Sequence, residues 1–243
     1  MKVGAIVQAR MGSTRLPGKV LRDIAGTPML GRVIDRTRAA RAVHSVIVAT
    51  TTRAEDDPLA AYAAAQSTEV YRGEEEDVLD RYYQAARAHQ LDVVVRITSD
   101  CPLLDPEVID QVVQPLLDRT SGVEFSANTL DRTFPRGLDV EAVPIATLER
   151  LWRSARLPHY RAHVFPFIYE HRDQFSTVSI TAGADFSRMR WTVDTEEDLL
   201  FVRTVCQALG PGDFTWRDIV RLLEQEPEWL RINETVRQKS AHE

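Results

Sequence analysis

In the first half of the chain, apolar runs of strand length alternate with stretches whose apolar residues return at helical spacing. Residues 3–9 read as a strand and lead into a loop carrying Gly12, Pro17 and Gly18. A helix is predicted over 29–42 and a strand over 45–49, where Val46-Ile47-Val48 forms an unbroken apolar run. Pro58, at an early helical position, opens an alanine-rich helix at 59–66. A short strand at 69–71 passes through an acidic loop into a helix at 78–89. Val93-Val94-Val95 marks 92–98 as a buried strand, and Pro106 opens a helix running towards residue 117. Continuous rather than alternating apolar strands, separated by helices, imply a parallel sheet covered on both faces.

The second half is less regular. Strands are expected at 138–143, 176–181 and 188–193, and helices at 145–154, 159–171, 195–209 and 215–226. Residues 122–135 mix turn formers with short apolar pieces, so an insertion of roughly 122–182 is expected inside one domain covering 1–243. The expected fold class is α/β: a three-layer sandwich around a Rossmann-like, mostly parallel sheet with a small antiparallel insertion. Ligands of such sheets sit beyond the carboxyl ends of the strands, which directs attention to the segments just after them.

Composition narrows the function. The 243 residues are 44% hydrophobic and 27% charged, which excludes a disordered or low-complexity chain. A formal charge of −6, from 30 basic against 36 acidic residues, argues against nucleic acid as a partner. Cys101 and Cys206 are too few for a disulfide framework. No apolar run is long enough for a leader or a membrane span, so a cytoplasmic protein without membrane attachment is expected. Cys101, directly before Pro102, reads as a buried small hydrophobe rather than a reactive thiol. Only Lys2, Lys19 and Lys239 are lysines, which sets Lys19 apart in its loop.

That loop, after the first strand, combines a glycine-bearing turn with Arg10, Arg15, Lys19, Ser13 and Thr14. Backbone N–H groups, guanidinium groups and an ammonium together suit a polyphosphate. It is not a Walker A loop: Gly12 and Gly18 stand one residue too far apart, and Val20 replaces the hydroxyl that would meet the metal. Nor does it contain the G-x-G-x-x-G of a dinucleotide site. Two aspartates follow later strands. By position alone, Asp100 reads as a turn residue, a cap for the helix after Pro106, or a metal ligand. Asp194 reads as a metal ligand or as the N-cap of the helix at 195–209. If their strands are neighbours, both carboxylates project from one sheet edge beside the first loop.

Ala9-Arg10-Met11-Gly12-Ser13-Thr14-Arg15-Leu16-Pro17-Gly18-Lys19 resembles the signature loop of the cytidylyltransferases that make CMP-activated acidic sugars, nearest to their SpsF, or spore coat polysaccharide, branch. Four further stretches agree in order: Thr98-Ser99-Asp100-Cys101-Pro102-Leu103, Pro135-Arg136-Gly137-Leu138-Asp139-Val140-Glu141, His163-Val164-Phe165-Pro166-Phe167-Ile168 and Arg190-Trp191-Thr192-Val193-Asp194-Thr195. The resemblance implies a fold of the nucleotide-diphospho-sugar transferase type. It also implies transfer of CMP from CTP to an acidic sugar with release of pyrophosphate, in surface polysaccharide or glycan synthesis. It carries Mg²⁺ binding onto Asp100 and Asp194, and catalytic roles onto Arg10, Lys19 and both aspartates. Nucleotide contacts are expected from Ala9, Arg10, Met11, Gly12, Ser13, Arg15, Lys19 and Ser99. In related synthetases the equivalent of the acidic loop helps hold the cytidine, which adds Arg72, Gly73 and Asp77. Glu74 and Glu75 beside them read as a solvated face.

On the insertion, Arg136, Asp139 and Glu141 are candidates for the acceptor sugar, since alternation would place the two carboxylates on one strand face. They read equally as a charged surface. Arg161 and His163 join them, a guanidinium being suited to an anionic acceptor. His159 and His163 stand at i and i+4, but no third ligand of fitting spacing supports zinc. Related synthetases are often dimers through the insertion, so a homodimer is expected. The rival readings are a cytidylyltransferase for a phosphorylated or phosphonate acceptor, and a non-catalytic nucleotide-binding protein on the same fold.

Overall fold

The computed structural model describes residues 1–118 and 120–238. Its first strand, β1 (Val3–Gln8), is buried on both faces and divides the core in two. Val3, Ala5 and Val7 point into one apolar cluster and Ile6 into the other, the strand period of two expressed as packing. A hairpin of β2 (Asp23–Ile24) and β3 (Thr27–Pro28) follows, then α1 (Met29–Arg38), β4 (Ser45–Thr51), α2 (Asp57–Ala65), β5 (Glu69–Gly73), α3 (Val78–Ala88), β6 (Val93–Thr98) and α4 (Pro106–Leu117). β7 (Phe125–Ala127), β8 (Glu141–Pro144), α5 (Ile145–Ser154), α6 (Pro158–His163), α7 (Pro166–Glu170), β9 (Thr177–Ser179), α8 (Glu196–Leu209) and α9 (Trp216–Gln225) complete the chain.

The main sheet has seven strands in the order β5-β4-β1-β6-β8-β7-β9. β5, β4, β1 and β6 are parallel, β8 runs antiparallel to both β6 and β7, and β9 is parallel to β7. Side chains of α1, α4, α8 and α9 fill one face, and those of α3, α5, α6 and α7 fill the other. The expected α/β sandwich with a mostly parallel sheet is therefore present. The region 122–182 does not fold apart from it: β7, β8 and β9 extend the same sheet.

Three elements depart from the sequence-based expectation. Residues 188–193 form only an isolated bridge, Arg136 with Arg190. The hydrogen bonds of this segment go to loops: Trp191 N–H donates to Arg136 O (2.7 Å) and Val193 N–H to Asp100 O (2.8 Å). The expected helix at 159–171 is two short helices. Val164 between them adopts φ +72° and ψ −59°, and Phe165 N–H closes a γ-turn onto His163 O at 3.0 Å. The expected strand at 138–143 begins only at Glu141, because Asn128 claims the Leu138 carbonyl and the Val140 N–H with its side chain. β7 and the β2–β3 hairpin were not expected; strands of three and two residues leave almost no period to read.

Candidate active site

β1 and β6 lie side by side in the middle of the sheet, and the loops leaving their carboxyl ends line a cleft of about 750 Å³. The first loop is shaped from within and held from outside. Ser13 N–H and Gly18 N–H both donate to Met11 O, at 2.8 and 3.1 Å. Met11 N–H donates to the buried carboxylate of Asp56 at 2.7 Å, and Thr51 donates to the same carboxylate from its backbone and its hydroxyl. Burial opposes the charge on Asp56, but these donors outweigh it and hold the carboxyl below its usual value. Asp56 is thus the tie between β4 and the loop, a role with no signal in the loop's own sequence.

Gly18, at φ +66°, turns the chain into a short 3₁₀ segment that sends Lys19 inward. The Lys19 ammonium uses all of its donors: Asp100 Oδ2 at 3.1 Å, Asp194 Oδ1 at 2.9 Å and Val193 O at 2.7 Å. Burial alone would lower the Lys19 pKa; the two aspartates reverse this and raise it. Asp100 feels the converse, its pKa held down by Lys19 and by hydrogen bonds from Thr98 despite burial. The structure thus brings two aspartates 94 residues apart in sequence onto one cation of the first loop.

Neither aspartate is a helix cap. Asp105 caps α4, accepting from Glu107 N–H at 2.8 Å. Thr195 caps α8 through a capping box with Asp198, which leaves Asp194 one residue outside the helix and facing the cleft. Its second oxygen, Oδ2, meets Arg15 and Arg190, each at 2.9 Å. Arg190 in turn reaches the fully buried Asp198 at 2.8 Å. Lys19, Arg15 and Arg190 therefore interleave with Asp100, Asp194 and Asp198, a balanced cluster at one end of the cleft.

Other expected residues are placed as follows. Ala9, Arg10, Gly12, Ser13 and Ser99 line the same cleft, and Arg10 is half-exposed with Glu75 at 3.1 Å. Glu75 is no idle surface acid: its other oxygen meets Arg53, so it couples three loops. Arg136, Asp139 and His163 line the same cleft, and the Arg136 backbone runs beside the segment that carries Arg190 and Asp194. Asp139 is held by Arg132, with one contact at 2.9 Å. The Arg136 guanidinium meets no carboxylate among the described residues, and burial together with Arg132 lowers its pKa.

Six expected residues do not line the cleft; two of them are Met11, whose N–H and carbonyl are spent on Asp56 and on the turn of the first loop, and Gly73, at the end of β5. Arg72 points to the Thr51 and Arg53 carbonyls, both at 2.8 Å, and to Asp57. Asp77 caps α3, accepting from Asp80 N–H at 2.9 Å, and pairs with Arg161, so these two tie α3 to α6. Glu141 faces Arg96 and Tyr169 and lies behind the cleft wall. Asp139 and Glu141 do not share a strand face, because the strand begins at Glu141. Arg96, Arg190, Asp56 and Asp198, which sequence reading passed over, are structural partners of the site.

The comparisons with known proteins agree with this architecture. A cytidylyltransferase family model matches residues 4–209. The spore coat polysaccharide biosynthesis protein SpsF of Bacillus subtilis is 32% identical, over 92% of this chain and 94% of its own. A cytidylyltransferase structure from Leptospira borgpetersenii superposes with a TM-score of 0.92 at 34% identity, covering 98% of this chain and all of that one. The structure of CMP:2-keto-3-deoxy-manno-octonic acid synthetase complexed with CTP shares the fold, with a TM-score of 0.66 at 19% identity over 86% of this chain and all of that one. By motif, fold and match over most of its length, the chain belongs to the cytidylyltransferase family and is a CTP-dependent nucleotidyltransferase.

Proposed function

We propose that the protein transfers CMP from CTP to the hydroxyl of an acidic sugar and releases pyrophosphate, in the cytoplasm, for surface polysaccharide or glycan synthesis. The observation that carries this reading is the Lys19 ammonium shared by Asp100 and Asp194 at the edge of the first loop. Arg10, Arg15 and Lys19 take the triphosphate, with the backbone of Ala9, Gly12 and Ser13 and the side of Ser99 around the nucleotide. Because every Lys19 donor is already engaged, triphosphate binding requires it to exchange an aspartate or carbonyl partner for phosphate oxygen. That exchange releases carboxylate oxygens for a cation.

The pair fits Mg²⁺. Both carboxylates already accommodate one positive charge between them, and no group of three or more His, Cys, Asp or Glu forms a metal cluster among the described residues. Such a site suits an ion that keeps water and phosphate oxygens in most of its positions. When bound, Mg²⁺ supplies Lewis-acid polarisation of the α-phosphoryl group. The protein's own contribution is positioning and charge. The acceptor hydroxyl oxygen forms the new bond to the α-phosphorus and its proton passes to solvent water, while the bond from the α-phosphorus to the bridging oxygen breaks and pyrophosphate leaves with its electrons. Arg10 and Arg15 stabilise the charge developing on pyrophosphate. Arg136 and His163, which line the same cleft, take the acceptor, with the Arg136 guanidinium, met by no carboxylate among the described residues, as the anchor for its carboxylate. A second copy of the chain, forming a homodimer, belongs to this reading as well.

A pyrophosphate-release assay with each nucleoside triphosphate, Mg²⁺ and a panel of acidic sugars and sugar phosphates tests the proposal. Release with CTP and an acidic sugar alone is expected. Release only with a phosphorylated or phosphonate acceptor would replace the acceptor class, and CTP binding without release on any acceptor would remove catalysis.

A further inference from the structure

The cleft has a second polar region whose groups are not accounted for by phosphate binding. Gln8 ends β1, and Arg96 lies near the end of β6; in the parallel register Ile6 pairs with Arg96 and Gln8 with Thr98. All three polar side chains line the cleft. Gln8 and Arg96 extend on the face that carries Ile6 and Val94 into the second apolar cluster, the face opposite to Val7, Val95 and Ile97. They line the same cleft as Arg136 and His163, the residues read above as meeting the acceptor.

Arg96 is braced from behind. In the antiparallel register of β6 and β8 it stands directly opposite Glu141, and one guanidinium nitrogen meets that carboxylate. The Tyr169 hydroxyl, from α7, donates to the other Glu141 oxygen. Arg96 Nε and Gln8 Oε1 nonetheless have no protein partner among the described residues, although both atoms are buried. A buried donor and a buried acceptor without partners, on two side chains that line one cleft, are satisfied when those side chains turn onto a ligand group that supplies both.

We propose that Gln8 and Arg96 determine acceptor specificity by reading one substituent that both donates and accepts a hydrogen bond, a hydroxyl or a secondary amide, away from the attacking oxygen. Gln8 Oε1 accepts its proton and Arg96 Nε–H donates to its oxygen. Glu141 and Tyr169 are positioning residues that fix the guanidinium. The inference rests on the cytidylyltransferase reading of the cleft but is tested apart from it.

The test has a binding arm and a turnover arm. Calorimetry on the CTP-loaded protein uses 3-deoxy-2-keto sugar acids and their acylamino counterparts, each beside an analogue lacking one hydroxyl or the acylamino group. Pyrophosphate release is then followed with the same compounds. Wild-type protein is expected to favour one parent over its truncated analogue by a hundredfold or more, since a site built to bond a polar group rejects its absence strongly. Which parent is favoured separates hydroxyl from amide. Gln8→Met and Arg96→Lys are expected to lose at least tenfold in acceptor affinity and to shrink the discrimination to a few-fold, with CTP affinity unchanged. Arg96→Lys keeps a charge opposite Glu141 and so guards against simple misfolding. Tyr169→Phe should raise acceptor KM with little change in kcat. Failure of every acceptor to bind, unchanged discrimination in the variants, or a shift in CTP-over-UTP preference instead would overturn the proposal. Acceptor binding without pyrophosphate release would leave the roles of Gln8 and Arg96 standing and defeat the proposed reaction.

Discussion

At the scale of single residues, the site is a problem of placing charge. Lys19 bridges two carboxylates, of which Asp194 also meets Arg15 and Arg190, and Asp100 keeps its charge because Lys19 and Thr98 outweigh burial. Asp100→Asn preserves the shape and hydrogen-bonding capacity of the side chain but removes its charge. The fold should survive, with an unchanged circular dichroism spectrum, while pyrophosphate release falls by about a hundredfold or more, the scale of losing one charge-stabilising group. A near-wild-type rate would remove the metal-binding role. Asp56→Asn acts at one remove. The amide replaces one of the two acceptor oxygens by a donor, so either Met11 N–H or Thr51 N–H loses its acceptor; the first loop loosens and KM for CTP should rise about tenfold, with a smaller change in kcat. What sequence reading could reach at this scale was contiguous: the 9–19 loop, Asp100 and Asp194 sit within short motifs. Asp77, Arg161 and Glu141 carry equally functional residue types, yet their partners, 84 residues apart for one pair and 45 for another, decide that their polar atoms face one another instead.

At the scale of elements, connections rather than strands fix the site. The segment 190–194 runs against the loop at 135–137, and Gly137 is where they touch. It has φ +109°, and a Cβ there would stand 2.6 Å from the Thr192 nitrogen and from the Trp191 carbonyl carbon. Both obstacles are backbone and cannot swing aside. Gly137→Ala should cost about 2–4 kcal/mol, read as a Tm drop of roughly 5–15 °C for a chain of this size. The start of α8 is the other anchor. Asp198 is fully buried, and burial alone would raise its pKa. Arg190, the Asp194 N–H and Asn233 outweigh this and hold it below its usual value. A carboxyl whose pKa is depressed in the folded state contributes stability above its unfolded pKa of about 3.9, and that contribution is lost as pH falls through the lower folded value. Asp198→Asn should therefore be less stable at pH 7 by about 3–5 kcal/mol, with the gap from wild type narrowing below about pH 4. Chemical denaturation of both proteins across pH 3–7 checks this; a gap that widens on acidification contradicts the assignment. These elements were only partly legible. α4 runs from Pro106 to Leu117 as its proline and apolar spacing indicate, whereas the break at Val164 is invisible. A β-branched residue rarely takes a positive φ, and only the burial of Val164 and Phe165 in the second cluster holds it there.

For the whole molecule, the proposed reaction assigns stability and catalysis to different cations. The sheet order, with β1 and β6 central, delivers three loops to one edge above an apolar core. At that edge Lys19, Arg15 and Arg190 already balance Asp100, Asp194 and Asp198. A divalent ion entering the site thus adds little to the folded state without triphosphate to accompany it. Chelation of divalent cations should abolish pyrophosphate release, restored by added Mg²⁺, yet leave Tm unchanged to within about 1 °C, because an ion that barely binds the free protein cannot stabilise it by mass action. Lys19→Met reverses the second half of this expectation. With the ammonium gone, Asp100 loses its cation while Asp194 keeps only Arg15 and Arg190, and the variant should melt earlier than wild type. Millimolar Mg²⁺ should then raise its Tm by several degrees, because the ion replaces the missing charge. Thermal melts of both proteins with and without EDTA read this directly. A wild-type Tm that collapses on chelation would mean that the metal, not Lys19, holds the aspartates together, and a Lys19→Met protein indifferent to Mg²⁺ would mean that the pair does not bind it.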